Sequence, residues 1–541
     1  MKRTRICALS AVMFGSAIPI GMIGAGTAQA DSTTYYVSPS GADDNAGTSA
    51  SAPFRTLQKA ADVTKPGDTV SIMNGTYTER SGGSDVVVIS RSGRAGAPIT
   101  FRAHPGHHPV INPIAAWNGI RVDGASHITL QGLEIKGNNQ AIPLADAERG
   151  ASTKNAKYNT NCVSIEKNRS TGAGPHHINV SGNTVHHCAG GGISAMDADY
   201  VTIDRNHVYS TSWYSVYATS GISVLAARDT DGGDGGKAYK IRITNNRVHD
   251  NETKVKWERC KCYSDGNGII VDTLKDKAKA NEEGPDYQGR VLVAGNVSYN
   301  NGGSGIHAYK SQHVDIVNNT AYQNGRSNRM DGYGNIYAID SRDVRVLNNI
   351  SYGRPGQMTT STHRNVDVTY DYNVYFGGKA PEVKGPNDIV ADPEFTQPGT
   401  DAKANFRLRA GSPAIDSGKP FTAVATHVAK ATGEGDAPDR GAYPHTADSA
   451  GADAGSTAPS PENNAPKDSD AESADSSGES PAAGTAAQDG DEAATGNDVQ
   501  AAGDSEPLAD TGGSVAGPLG IGAAGLMLGA GILFVVRRKR S

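Results

Sequence analysis

Six side chains in the middle of this 541-residue sequence are of types that move protons and hold charge: His307, Lys310, Tyr337 and Asp340, with Asp265 and Asp272 before them. The spacing is informative. Tyr337 stands three places before Asp340, as His307 stands three places before Lys310. On successive strands of one sheet the two pairs fall level, about 5 Å apart. His307 is then a base near neutral pH. Lys310, Lys275 and Arg342 are cations for an acidic ligand, and Asp265, Asp272, Asp276 and Asp340 are carboxylates. One chemistry open to the set is acid–base work, with His307, Lys310, Asp340, Asp272 and Tyr337 reacting and Asp265, Lys275 and Arg342 binding. Another is glycoside hydrolysis by two carboxylates, Asp272 or Asp265 with Asp340.

Two insertions border this set. The run 229–236 places Asp229, Asp231 and Asp234 among glycines, an all-oxygen loop suited to calcium though without EF-hand spacing. The strongly charged run 272–290 is placed to overhang the same face as a lid.

These positions depend on a repeat. INVSGNTV, VTIDRNHV, IRITNNRV, VLVAGNVS, VDIVNNTA, VRVLNNIS and VDVTYDYNV follow one another from Ile178 to Val374. Apolar and polar residues alternate, then Asn recurs at Asn183, Asn206, Asn246, Asn296, Asn319 and Asn349. The closest spacing, about 23 residues, is one coil of a solenoid built from short strands. Period-2 alternation sends Val180, Ile203, Ile243, Val293, Ile316 and Val346 into one inward column and their neighbours, Leu292 and Asp315 among them, outward. The Asn sits at a turn, where its amide reaches the Asn of the next coil and its backbone tolerates left-handed angles. A second phrase gives Ile193, Ile222, Ile269, Ile306 and Ile336 inward, and an outward row of Ser194, Ser223, Ile270, His307 and Tyr337. No long 3.6-residue period is present. The expected fold is all-β: a right-handed parallel β-helix over 31–445, whose outward row forms a flat face for a chain-like ligand.

The two ends speak of export. Residues 1–30 carry Lys2, Arg3 and Arg5, an apolar stretch, and the small-residue site Ala28-Gln29-Ala30, the pattern of a signal peptide. Residues 446–507 lack aromatics and contain Lys467 as their one basic residue, the composition of a disordered acidic spacer. Then come Leu508-Ala509-Asp510-Thr511-Gly512, an apolar run over 515–536 long enough for a transmembrane helix, and Arg537-Arg538-Lys539-Arg540. That order resembles a sortase sorting signal of the Leu-Ala-x-Thr-Gly kind. The resemblance implies cleavage between Thr511 and Gly512, with sortase and cell-wall peptidoglycan as partners and a cell-surface location. A simple single-span protein is the alternative.

Net charge is −6, concentrated in the spacer, so 31–445 is near neutral and offers no electrostatic footprint for nucleic acid. A monomer is expected. Cys7 leaves with the leader. Of the remaining four cysteines, Cys162 and Cys188 are about one coil apart and suited to a disulfide, whereas Cys260 and Cys262 are too close for an easy one.

The two ends of the folded part carry a family resemblance. YYVSPSG (35–41), PFRTLQKAA (53–61), PGDTV (66–70) and NGTY (74–77) look like the N-terminal cap of secreted pectate-lyase-like β-helix proteins. Phe54, Leu57, Ala60 and Ala61 form the apolar stripe of a short capping helix. DPEF (392–395), GSPAID (411–416) and DRGAY (439–443) resemble the other end of the same group. By cap pattern the likeness is nearest to the uronate lyases of polysaccharide lyase family nine. It implies an extracellular polysaccharide as partner and β-elimination as chemistry, which needs a cation for the substrate carboxylate and a base for the neighbouring proton. That family's coils hold calcium in Asp-Asp-Gly-x-Asp clusters. Here the matching places read Ser264-Asp265-Gly266-Asn267-Gly268 and Gly302 to His307: Asp265 is retained, its paired Asp is absent, and His307 stands where an Asp is expected. Hydrolysis on the same fold, or a non-catalytic glycan-binding or adhesin role, remains open beside elimination.

Overall fold

The computed structural model describes residues 32–330, 334–425 and 437–445. The leader, the 446–507 spacer, the motif at 508–512 and the apolar run at 515–536 lie outside these residues. Among the described residues no helix is long and apolar enough to cross a membrane.

The chain winds through three parallel sheets in turn. The first has 11 strands, from Thr34–Val37 to Val366–Asp371; the second has 11, from Thr76–Tyr77 to Ile389–Val390; the third has 9, from Val87–Ile89 to Thr362–His363. One coil reads His176–Ser181 in the first sheet, Thr184–His186 in the second and Ile193–Met196 in the third, before Asp199–Asp204 rejoins the first. Register holds from coil to coil: Val180, Ile203, Ile243, Val293, Ile316 and Val346 are paired in sequence and buried. So are Ile193, Ile222, Ile269, Ile306 and Ile336. Each such side chain contributes about 1.5–3 kcal/mol by leaving water. The glycines before these isoleucines are required by packing. A Cβ on Gly192, Gly221 or Gly268 would meet the carbonyl oxygen of the next coil at 2.4, 2.9 or 2.6 Å.

The Asn column is a continuous ladder from Asn183 through Asn206, Asn246, Asn296, Asn319 and Asn349 to Asn373. Each side-chain amide donates to the next Asn Oδ1 at 2.9 to 3.0 Å. The left-handed backbone is not on these residues but one place earlier, at Gly182, Arg205, Asn245, Gly295, Asn318, Asn348 and Tyr372. The ladder Asn supplies hydrogen bonds and its predecessor makes the turn. A second ladder, Asn251, Asn301, Asn324 and Asn335, lines the corner between the second and third sheets.

Two expectations about outward residues change. Leu292 and Asp315 point away from the interior yet are fully buried. Phe421 and Tyr239 pack over the Leu292 patch, and Arg290, Arg345 and Tyr239 enclose the Asp315 carboxylate. At the N-terminal end, helix Leu57–Val63 buries Leu57, Ala60 and Ala61, with Thr56 accepting from the Lys59 N–H. The C-terminal part packs on the flank of the second sheet: Phe395, Phe406 and Leu408 join Tyr299, Tyr322 and Val374 in one cluster.

Cys162 and Cys188 are bridged, with Cα atoms 5.6 Å apart. Cys260 and Cys262 are bridged as well, contrary to expectation. Lys261 between them is left-handed (φ 58°), which turns the two side chains toward each other.

Candidate functional site

The outward row of the third sheet runs Arg121, Ser164, Ser194, Ser223, Ile270, His307 and Tyr337, in register. It is not the flat open face expected from alternation. Ser164, Ile270, His307 and Tyr337 are buried. Connections between the second and third sheets lengthen from 187–192 in one coil to 210–221 and 250–268 in the next two, and they arch over the sheet. Part of the row lines a shallow cleft. Its floor is Ser194, Ser223 and Ile270; Tyr217 and Thr219 stand on one wall; Asp265 and Asp272 supply its only charges among the described lining residues.

Asp265 and Asp272 come from the same coil. Asp265 sits in a left-handed turn (φ 66°). Its carboxylate accepts from the hydroxyls of Ser264 (2.8 Å) and Ser220 (3.3 Å) and from the Asn267 amide (3.3 Å). Asp272 ends strand Ile269–Asp272 and accepts from the Thr273 hydroxyl at 2.7 Å. Both carboxyls keep some surface open to the cleft but are ringed by protein atoms. Burial raises both above the usual carboxylate range, and Asp272 reaches about 7, helped by the neighbouring charge of Asp265 and opposed by Lys310. A carboxyl near 7 is half protonated at neutral pH and can give or take a proton.

The rest of the expected cluster is dispersed or engaged. His307 is a correction. It is not among the residues lining the cleft: it is 5% exposed and stacked on Tyr337 with ring centroids 4.6 Å apart. Its Nδ1 has no hydrogen-bond partner, and burial pulls its imidazole down to about 3, so it does not serve as a base near neutral pH. Tyr337 shares a 2.9 Å hydrogen bond with the Ser304 hydroxyl and is buried. Asp340 was expected to face Lys310 and to pair with a cleft carboxylate. Burial alone would raise its carboxyl, but the Arg364 guanidinium grips it at 2.6 and 2.8 Å and holds it low. The Lys310 ammonium lies 5.1 Å from the Tyr309 ring, where it feels both Asp272 and Asp340. Lys275 is paired with Asp276, and Arg342 donates to the side-chain amide oxygen of Gln312 on the first sheet, away from the cleft. The 272–290 insertion is anchored: Lys277 Nζ donates to the carbonyls of Ala226 (2.9 Å) and Ala227 (3.0 Å).

The three aspartates expected to form a calcium loop do not stay together. Asp229 and Asp231 converge with Asp199, but the Lys240 ammonium occupies their centre, 3.3 Å from Asp229 and 3.8 Å from Asp199 and bonded to Asp231. Asp234 instead caps the N–H groups of Lys237 (3.0 Å) and Ala238 (2.6 Å). One ammonium thus stands among three carboxylates, and Asp234 lies outside their group.

Sequence reasoning missed Tyr217, Thr219 and the wall they form. Its one signal was length: Asn206 and Asn246 are 40 residues apart rather than the 23 separating Asn183 and Asn206, leaving room for an insertion.

Residues 35–208 match the family model of the Pel9A-like right-handed β-helix region. The chain is 37% identical over 107 residues to the uncharacterized protein YwoF of Bacillus subtilis, covering 19% of this chain and 21% of that one. It is 42% identical over 77 residues to pectate lyase PEL9 of Emericella nidulans, covering 14% and 18%. The chain thus spans about a fifth of the length of these curated relatives. Among solved structures, that of pectate lyase Pel9A covers 76% of this chain and 96% of its own at 17% identity and a TM-score of 0.44. The fold itself is a parallel β-helix, its coils wound through three parallel sheets.

Proposed function

We propose that the protein cleaves an extracellular polysaccharide at the Asp265–Asp272 cleft, and that it does so as a secreted, wall-anchored enzyme. The observation that carries the reading is the Asp272 carboxyl, lifted to about 7 beside a second carboxyl in an open, Tyr-walled cleft. A carboxyl lifted to about 7 with a second carboxyl in the same cleft suits hydrolysis of a glycosidic bond. Asp272 gives its proton to the leaving oxygen, and Asp265 stabilises or attacks the anomeric carbon. Tyr217 offers a ring against which a sugar packs. The match of the first coils to the Pel9A-like region supports a polysaccharide as the substrate class. It stops at residue 208, before the acid-bearing coil.

Elimination on a uronate is the second reading, favoured by the placement of Lys310 within the field of Asp272. Neither scheme draws on the acidic loop, where the Lys240 ammonium stands among the carboxylates.

The test is a panel of polysaccharides given to the full-length chain, with reducing ends and ultraviolet absorbance read together. Hydrolysis releases reducing ends without unsaturated products; elimination gives both. No cleavage of any neutral or acidic glycan, with binding retained, favours the adhesin role and overturns the enzyme. For anchoring, Thr511→Ala is expected to move the protein from the wall fraction to the membrane fraction. An unchanged wall yield contradicts the sorting signal.

A further inference from the structure

A second cluster lies on the first sheet, on a different face from the cleft. His176 pairs with Ser126 on one side and Asp199 on the other, so His177 falls level with His127 and Tyr200. His127, His177 and Tyr200 are all left-handed, at φ 55°, 56° and 49°. Non-glycine residues adopt that conformation at a cost, and here successive coils adopt it in register. The result is a stack: His127 on His177 with ring centroids 4.5 Å apart, and Tyr200 on His177 at 4.4 Å. His176 stands edge-on to both imidazoles. Each of the three histidines offers a ring nitrogen, and these nitrogens lie within 4.8 Å of one another.

We propose that His127, His176 and His177 together bind one divalent transition-metal ion of the zinc class, leaving a fourth position to water. Nitrogen-only donors favour such an ion over calcium or magnesium, which take oxygen. Zinc–imidazole bonds of about 2.0–2.1 Å in a tetrahedron set neighbouring nitrogens about 3.3 Å apart. The Nδ1 atoms of His176 and His177 share a hydrogen bond at 2.8 Å, close to that spacing, and the ion would take the place of its proton. Asp199 and Asp231 add a negative field at His177, and Asp199 at His176 as well. Neither acid is a ligand: Asp199 is taken by Tyr287 and Thr230, and Asp231 by Tyr200 and Lys240. His127 and the His176–His177 pair belong to neighbouring coils, so the ion fastens one coil to the next rather than taking part in cleft chemistry.

The test uses the full-length chain, made without a polyhistidine tag and stripped with chelator. Zinc chloride titrated by calorimetry is expected to bind at one equivalent and to raise the unfolding temperature. His127→Ala and His177→Ala are each expected to weaken binding at least about tenfold, the scale at which even outer-shell changes act on metal affinity. Equal unfolding temperatures of the variants and the wild type in chelator show that the variants fold. Cobalt(II) provides a check that needs no variant: intense visible absorption of a tetrahedral ion is expected from the wild type. No saturable zinc binding, weak octahedral cobalt absorption, or undiminished binding in the His127→Ala/His177→Ala double variant overturns the proposal.

Discussion

Two corners of each coil contrast. Between the first and second sheets every turn from Asn183 to Asn373 is the same, closed by one ladder of amides. Between the second and third sheets the connection ranges from the short 187–192 turn to the 250–268 loop and the still longer 137–160 segment. A ladder Asn both donates to the next coil and satisfies a backbone carbonyl of the one before, as Asn296 does toward Asn319 and the Ile243 carbonyl. An insertion there would leave buried polar groups unpaired. The other corner tolerates added chain because the loops leave the solenoid and return. The uniform corner holds the coils in register, and the variable corner builds the cleft.

Changes at the two corners are expected to separate chemistry from stability. The largest effect belongs to the cleft. Asp272→Asn keeps shape and hydrogen bonds but removes the titrating proton, so turnover is expected to fall about 100- to 10,000-fold with little change in unfolding. Next comes the ladder. Asn296→Ala deletes bonds to Asn319, Asn246 and two carbonyls, with an expected cost of about 3–5 kcal/mol in denaturant unfolding and normal turnover in the fraction still folded. Loss of activity without loss of stability in Asn296→Ala would break the contrast. The smallest effect concerns His307. Its imidazole is lowered to about 3 in the fold, so the unfolded chain binds the proton first as pH falls. Stability is therefore present above the unfolded value of about 6.5 and is lost as pH drops toward 3. His307→Phe keeps a ring against Tyr337 and is expected to flatten part of that acid limb, with activity at pH 7 retained. A large loss of turnover in His307→Phe would return His307 to the reaction.

The same contrast explains what was legible in the sequence. The Val180–Val346 and Ile193–Ile336 columns follow from period-2 alternation and a repeating Asn, which are local patterns. The site was legible in part. Asp265 and Asp272 were recognisable as carboxylates near the third sheet's outward row, where both line one cleft, but the partners given to them were not the ones they have. Equivalent positions put Lys310 level with Asp340, yet Arg364, one coil further, takes the carboxylate. Alternation sent His307 outward correctly, but it carries no information about loops that return over the sheet and bury it. Lys240 was likewise beyond reach, because its ammonium meets Asp229 and Asp231 through the folded path of an insertion.

The central claim is that Asp272 exchanges the proton during cleavage. The direct measurement is the pH dependence of kcat/KM on a substrate found in the panel, compared between wild type and Asp272→Asn. The account predicts a limb with an apparent pKa near 7 in the wild type, absent from the residual activity of the variant. A limb of unchanged position and turnover in Asp272→Asn would contradict it.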